Sequence, residues 1–273
     1  MHKVKRRRND SDGRRPLLRS PYTDILQFIC LLLILAYLFS RGIENLEYNW
    51  KWYQIPPYII NKVEGGISAG PLLFGLGVTL KISGISLALA FLIGLLTAVL
   101  RLSDLVMGRL IARCYLEVVR NTPLLIQIFF IYFVLGPVLG LDRFFAAVLA
   151  LSLFEGAYAS EIFRSGILSV DRGQIEAASS LGLGKYHIFR LITLPQAIRT
   201  TLPPLTSQAI SLVKDSALVS TIAIYDLTMQ AQALISETFL TFEIWFTVAI
   251  LYLVITVTLS FFVAFLENRF KRY

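Results

Sequence analysis

The chain has 273 residues, 56% of them hydrophobic and only 16% charged, with a mean hydropathy of +0.66. Soluble domains carry about 25% charged residues, so these figures argue against a water-soluble enzyme and for a membrane protein. Two cysteines (Cys30, Cys114) and two histidines (His2, His187) leave no disulfide framework and no histidine-based metal centre to build.

A hydrocarbon core of ~30 Å needs about 20 mainly apolar residues per helical span. Several continuous runs here meet that length, whereas a transmembrane barrel shows short alternating segments. The expected fold is therefore an all-α polytopic membrane protein with about six transmembrane helices.

In chain order, residues 1–22 form a basic tail with Lys3, Lys5, Arg6, Arg7, Arg8, Arg14, Arg15 and Arg19, a composition that cannot bury a core. The run 23–40 lacks a small-residue cleavage site after Tyr37-Leu38-Phe39-Ser40-Arg41 and reads as a retained anchor. Residues 41–70, with Tyr48, Trp50, Trp52, Tyr53 and Tyr58, suit the outer membrane interface as a short interfacial helix. A second span covers 72–99. A basic loop follows, with Arg101, Arg109, Arg113 and Arg120. Asn121-Thr122-Pro123 signals the start of a third span, 121–139, and 144–164 forms a fourth. A mostly polar loop fills 165–198. The fifth span, 201–223, is expected to be broken early by Pro203-Pro204, residues 224–241 form an outer connection, and the sixth span covers 243–266.

Charge sets the orientation. With the N-terminus inside, only Arg41, Lys51, Lys62 and Arg143 of the 26 Lys and Arg fall outside, and Lys81 and Lys214 lie within spans. The positive-inside rule thus favours both termini in the cytoplasm, and the +8 charge reads as topology, with no nucleic-acid partner.

The loop 165–198 then lies on the cytoplasmic side. Its Ala177 and Ala178 give a short helix a small-residue face, and Gly182-Leu183-Gly184 supplies a turn. Tyr186 to Leu194 forms a second amphipathic piece, after which Pro195 restarts the chain. Small side chains allow close approach of another protein. No phosphate-cradling loop is present in the chain. The nearest echo, Ser179 to Tyr186, lacks the first glycine and the magnesium-holding hydroxyl.

Ionisable residues at membrane depth suggest function. Glu155 has no obvious local partner: it serves either as counter-charge for a substrate ammonium or as a structural hydrogen-bonding group. Glu161 and Arg164, three apart, can pair with each other. Lys214, Asp215 and Ser216 either face a substrate pathway at a helix break or bond neighbouring helices. Ser216, Ala217, Ser220 and Thr221 permit close packing. An intramembrane enzyme would need a catalytic set, and no histidine lies in a span. A secondary transporter coupled to an ion gradient would use Glu155, Lys214 and Asp215, but leaves the polar loop without a purpose.

The string Glu176-Ala177-Ala178-x3-Gly182-x9-Ile192-x-Leu194-Pro195 resembles the cytoplasmic coupling loop of bacterial ABC importer permeases. Arg120-Asn121-Thr122-Pro123-Leu124-Leu125-Ile126-Gln127, Ala157 to Ile167 and Leu212 to Ser220 are similar to segments of the branch for histidine, glutamine, glutamate and arginine. The resemblance spans about 70–268. It implies a type I permease core of five spans over 71–268, to which the helix at 23–40 and the segment 41–70 are additions, with a short cytoplasmic end at 269–273. It also implies a location in the bacterial inner membrane, and a transport subunit rather than an enzyme, with no cofactor of its own. ATP and magnesium would be used by a separate cytoplasmic ATPase dimer. The other implied partners are a second permease subunit, identical or a sister chain, and an extracytoplasmic amino-acid-binding protein. Glu176, Ala177, Ala178, Gly182, Ile192, Leu194 and Pro195 would couple to the ATPase, while Glu155, Lys214, Asp215 and Ser216 are candidates for the substrate pathway.

Overall fold

The computed structural model describes residues 21–45, 48–63 and 66–270; nearly all of the basic tail and the last three residues lie outside them. The chain forms two units, Met1–Trp50 and Lys51–Tyr273. In the first, helix α1 spans Pro21–Asn45. Its Asp24 lies in the first turn, where a negative charge suits the helix dipole. Its leucines and isoleucines, such as Leu26 and Leu33, are exposed.

The second unit opens with a tight turn at Trp52–Gln54 and a four-residue helix α2, Pro56–Ile59. After α2 the chain forms a hairpin. Strand β1 (Ile60–Val63) pairs antiparallel with β2 (Gly66–Ala69), Ile60 opposite Ala69. Gly70 closes this segment against α2. A Cβ there would meet the Tyr58 carbonyl oxygen at 2.4 Å, so only glycine lets the two backbones approach. Pro71 then occupies the first turn of α3, where its missing N–H costs nothing.

Helix α3 (Pro71–Leu102) packs along α7 (Arg143–Leu168). Small residues make this possible. A Cβ on Gly94 would sit 2.7 Å from that of Ala159, and one on Gly156 would strike Ile93 at 2.9 Å. In lipid, where apolar burial gains little, such close backbone approach is what holds helices together. Asp142 caps α7 by accepting from the Phe145 N–H at 2.8 Å.

The expected basic loop after α3 is instead an amphipathic helix, α4 (Val106–Arg120). Its Gly108, Ala112, Leu116 and Val119 recur every three or four residues and are buried, the spacing of one helical face. Arginines on a neighbouring face gave the segment its loop-like composition. The chain then turns by 109° into α5 (Leu124–Phe129), which continues through a π turn at Phe130–Leu135 into α6 (Gly136–Leu139). Gln127 fastens that corner. Its amide donates to the Val119 carbonyl (2.7 Å), the Thr122 carbonyl (3.0 Å) and the Thr122 hydroxyl (2.9 Å). Gln127→Leu should lower the unfolding free energy by about 1–3 kcal/mol, because the carbonyls lose their donor without gaining water. Thermal unfolding of the purified variant in detergent checks this; an unchanged midpoint would show that the corner holds without the amide.

After α8 (Arg172–Ser180), α9 (Lys185–Ile188) leads through a π turn at Phe189–Thr193 into α10 (Leu194–Asp215). The expected break at Pro203-Pro204 does not occur: both prolines lie inside α10. Membrane helices tolerate proline, and on the turn that follows the pair Thr206 donates its hydroxyl to the Leu202 and Pro203 carbonyls, at 3.0 and 2.7 Å. Regularity is lost later. Ser216–Ile222 tightens into a 3-10 turn and ends at Ala223, with φ +56°. The expected outer connection at 224–241 is largely helical, as α11 (Leu227–Thr238). Asp226 caps it through Met229 (2.8 Å), and the Thr79 hydroxyl of α3 accepts from the Leu227 N–H (3.1 Å). Helix α12 (Thr241–Phe270) completes the fold, its Glu243 accepting from the Lys51 N–H at 2.7 Å.

By length and apolarity, four of these helices can cross a membrane, or up to six if each bent pair is one span: Val106–Arg120 with Leu124–Leu139, and Lys185–Ile222 with Leu227–Thr238.

Candidate functional site

Helix α8 carries the start of the coupling string. Asp171 caps it, its carboxylate accepting from the Gly173 N–H at 2.7 Å. Its far end is closed by a pair of backbone bonds: Leu183 N–H to the Ala178 carbonyl (3.1 Å) and Gly182 N–H to the Ser179 carbonyl (3.0 Å). This is the Schellman arrangement, whose C′ residue must be left-handed, and Gly182 has φ +79°. The glycine is thus explained by backbone conformation alone, since nothing lies within 4 Å of where its Cβ would be.

The small-residue face needs one correction. Ala177 is exposed beside Glu176, but Ala178 is buried, 3% exposed. Consecutive helical residues point about 100° apart, so the two alanines face different sides: Ala177 lies on the exposed side and Ala178 on the buried one. The restart at Pro195 is also corrected. The helix runs from Lys185 past the proline, and the π turn at Phe189–Thr193 directly precedes Leu194 and Pro195. Ile192 is half-buried in that turn, and Leu194 and Pro195 are exposed.

Gln196 was not singled out by the sequence, yet it joins α8 to α10. Its amide donates to the Gln174 side chain at 2.7 Å and to the Ile192 carbonyl at 3.0 Å. A glutamine paired across 22 positions leaves no local sequence signal.

A second site lies midway along α7. Glu155 is 1% exposed. One carboxylate oxygen accepts from the amide of Gln208 on α10; the other, Oε1, has no partner among the described residues. Both line a cavity of about 220 Å³, together with Leu87, Phe91, Ala159, Leu205 and Thr206. The carboxyl group is thus at the wall of a largely apolar chamber between α3, α7 and α10. Gln208, a lone amide in an apolar run, was the available signal for this pairing.

The remaining pathway candidates do not all converge there. Asp215 is half-buried and interacts electrostatically with Glu155 and Lys214. The Lys214 side chain is exposed. Ser216 is buried and donates to the Val213 carbonyl at 2.8 Å, so its hydroxyl serves its own helix. Lys81, also within a span, places its ammonium over the Phe144 ring at 5.3 Å.

Glu161 does more than pair with Arg164. It accepts from Arg101 at 2.6 Å, Arg120 at 2.8 Å and Arg164 at 3.3 Å. One carboxylate therefore ties the end of α3, the end of α4 and α7 together. Spacing alone could offer only the i, i+3 partner.

The family described as "Binding-protein-dependent transport system inner membrane component" matches residues 90–272. The chain belongs to this family. Among the relatives of this permease is the glutamine transport system permease protein GlnP of Escherichia coli (strain K12), 41% identical over 205 residues, which cover 74% of this chain and 94% of GlnP. The probable glutamine ABC transporter permease protein GlnM of Bacillus subtilis (strain 168) is 40% identical over 195 residues, 71% of this chain and 90% of GlnM. Of solved structures, an amino acid ABC transporter with histidines superposes with a TM-score of 0.69 at 39% identity, covering 73% of this chain and 94% of that one. The MetNI methionine ABC transporter superposes at 0.61 with 20% identity, over 73% and 95% of the two chains, and shares the fold. The permease is thus an inner-membrane, multi-pass subunit of an ABC importer with a type I core, and a transport component rather than an enzyme. Family membership decides against the ion-gradient reading.

Proposed function

We propose that this permease imports a polar amino acid, delivered by an extracytoplasmic binding protein and driven by a separate cytoplasmic ATPase dimer acting on a pair of permease subunits. The cargo class follows from relatives named for glutamine at about 40% identity. Residues 165–198 lie in the cytoplasm with both termini, and helix 23–40 is an anchor added to the core.

One mechanical feature carries the reading. The exposed α8, with Glu176 and Ala177, is locked to α10 by Gln174 and Gln196, and α10 continues to Gln208, which holds Glu155 at the cavity. Twelve residues at 1.5 Å each separate Gln196 from Gln208, about 18 Å of helix. A displacement of α8 is thereby transmitted to the cavity wall. An ATPase that grips two arrangements of α8 with different affinity shifts the population of two cavity states, and only such a difference can drive the switch. Glu155 offers a buried negative charge to a substrate ammonium, and Asp215 and Lys214 flank the route at the end of α10.

The reading is tested with Glu176→Cys and membrane-impermeant thiol reagents. Labelling from the cytoplasmic face only, and cross-linking to the ATPase that shifts with ATP, are expected. Labelling from outside, or amino-acid uptake by vesicles lacking any ATPase, would overturn it.

A further inference from the structure

The cytoplasmic-side end of α3 and α4 holds an arginine cavity that coupling and transport do not use. Arg101, Arg109, Arg113 and Arg164 line it with Leu102, around about 130 Å³. Glu161 neutralises part of this charge through Arg101 and Arg164, and its other ion pair goes to Arg120. Arg109 and Arg113 have no ion pair among the described residues, and neither Asp104 in the α3–α4 turn nor Glu117 on α4 makes one with them. Several guanidinium groups thus share one small recess with a single carboxylate.

The neighbouring face of α4 says what kind of partner approaches. Met107, Leu110, Ile111 and Val118 follow helical spacing and are 66%, 54%, 58% and 64% exposed. Arg109 and Arg113, four residues apart, lie beside this stripe. The 109° corner sets α4 across the direction of the span that follows. An exposed apolar stripe flanked by arginines, on a helix lying across the spans, fits a helix seated in the headgroup zone. Arginine is suited to phosphate because its planar fork offers paired donors.

We infer that this cavity binds the phosphate headgroup of an anionic phospholipid, with the Met107–Val118 stripe against its acyl chains. Placing the lipid in the cytoplasmic leaflet rests on the orientation proposed above; binding itself does not. Arg109 and Arg113 supply the free charge, and Arg101 and Arg164, held by Glu161, form the fixed rear wall. A lipid there would brace α4 against α3 and α7, next to the Gln127 corner.

The test uses the full chain purified in detergent and native mass spectrometry, with phosphatidylglycerol and phosphatidylcholine of identical acyl chains and inorganic phosphate as a soluble competitor. Phosphatidylglycerol should be retained over phosphatidylcholine. R109Q/R113Q should weaken it about 30-fold, at roughly 1 kcal/mol per basic residue, while R109K/R113K, which keeps the charge but loses the paired donors, should fall between it and the wild type. The single variant R109Q, with an intermediate loss, serves if the double variant is unstable. Equal retention of the two lipids, phosphatidylglycerol binding unchanged in the glutamine variants, or displacement by phosphate at lipid-like concentrations would overturn the assignment. No ATPase is present and no transport is read, so a failure here is distinct from a failure of the importer reading.

Discussion

Gly182→Val is expected to cut ATP-driven uptake by about five- to thirtyfold while leaving membrane insertion and the fold of the spans intact. An L-residue in the left-handed region costs about 1–2 kcal/mol, and such a cost lowers the population of the correctly closed turn by that factor. The penalty falls on the two backbone bonds that end α8, not on side-chain packing, because a Cβ at 182 meets nothing within 4 Å. Gly182→Asn should therefore retain most uptake, since asparagine tolerates this conformation far better than valine. The pair separates conformation from bulk. Uptake measured in proteoliposomes with the ATPase, beside ATP hydrolysis, reads the result: hydrolysis persisting while transport falls is the expected uncoupling. Equal uptake by Gly182→Val and the wild type would remove α8 termination from the coupling path.

The second large effect is expected at Glu155. Glu155→Gln should reduce uptake about 10- to 100-fold, in line with about 1.5–3 kcal/mol for a hydrogen bond to a charged group, here one made to the cargo. Stability is the complication, since Glu155 also accepts from Gln208. Glu155→Leu alone strands that amide; Glu155→Leu combined with Gln208→Leu removes both partners, a change that can be nearly neutral for folding. The double variant should therefore be recovered from membranes at close to wild-type yield and transport almost nothing. Recovery together with normal uptake would make the pair a purely structural contact.

These two predictions describe one device. Gly182 keeps α8 as a short, sharply ended unit, Gln174 and Gln196 lock it to the long helix, and Gln208 on the same helix holds the cavity carboxylate. The coupling proposed above needs a continuous α10: a break at Pro203-Pro204 would separate the Gln174–Gln196 contact from Gln208.

The membrane class and the family were legible in the residues themselves. Apolar runs of membrane length and the spacing from Glu176 to Pro195 are local properties. Each acts through short-range physics: hydrocarbon thickness, and a backbone turn that glycine closes without strain. What the sequence misjudged was also local in origin. Arg109, Arg113 and Arg120 made α4 look like a loop because composition was read without its buried face, Gly108, Ala112, Leu116 and Val119. Pro203-Pro204 looked like a break because each proline removes a helix N–H donor, yet both residues stay within α10.

The partnerships belong to the tertiary structure alone. Glu161 offers Arg164 at helical spacing, but Arg101 and Arg120 reach it from 60 and 41 positions away. Gln208 finds Glu155 across 53 positions. Sequence spacing reports which side chains share a helix face. Which helices then face one another depends on where Gly94 and Gly156 let two backbones meet, and that is decided only when the whole bundle packs.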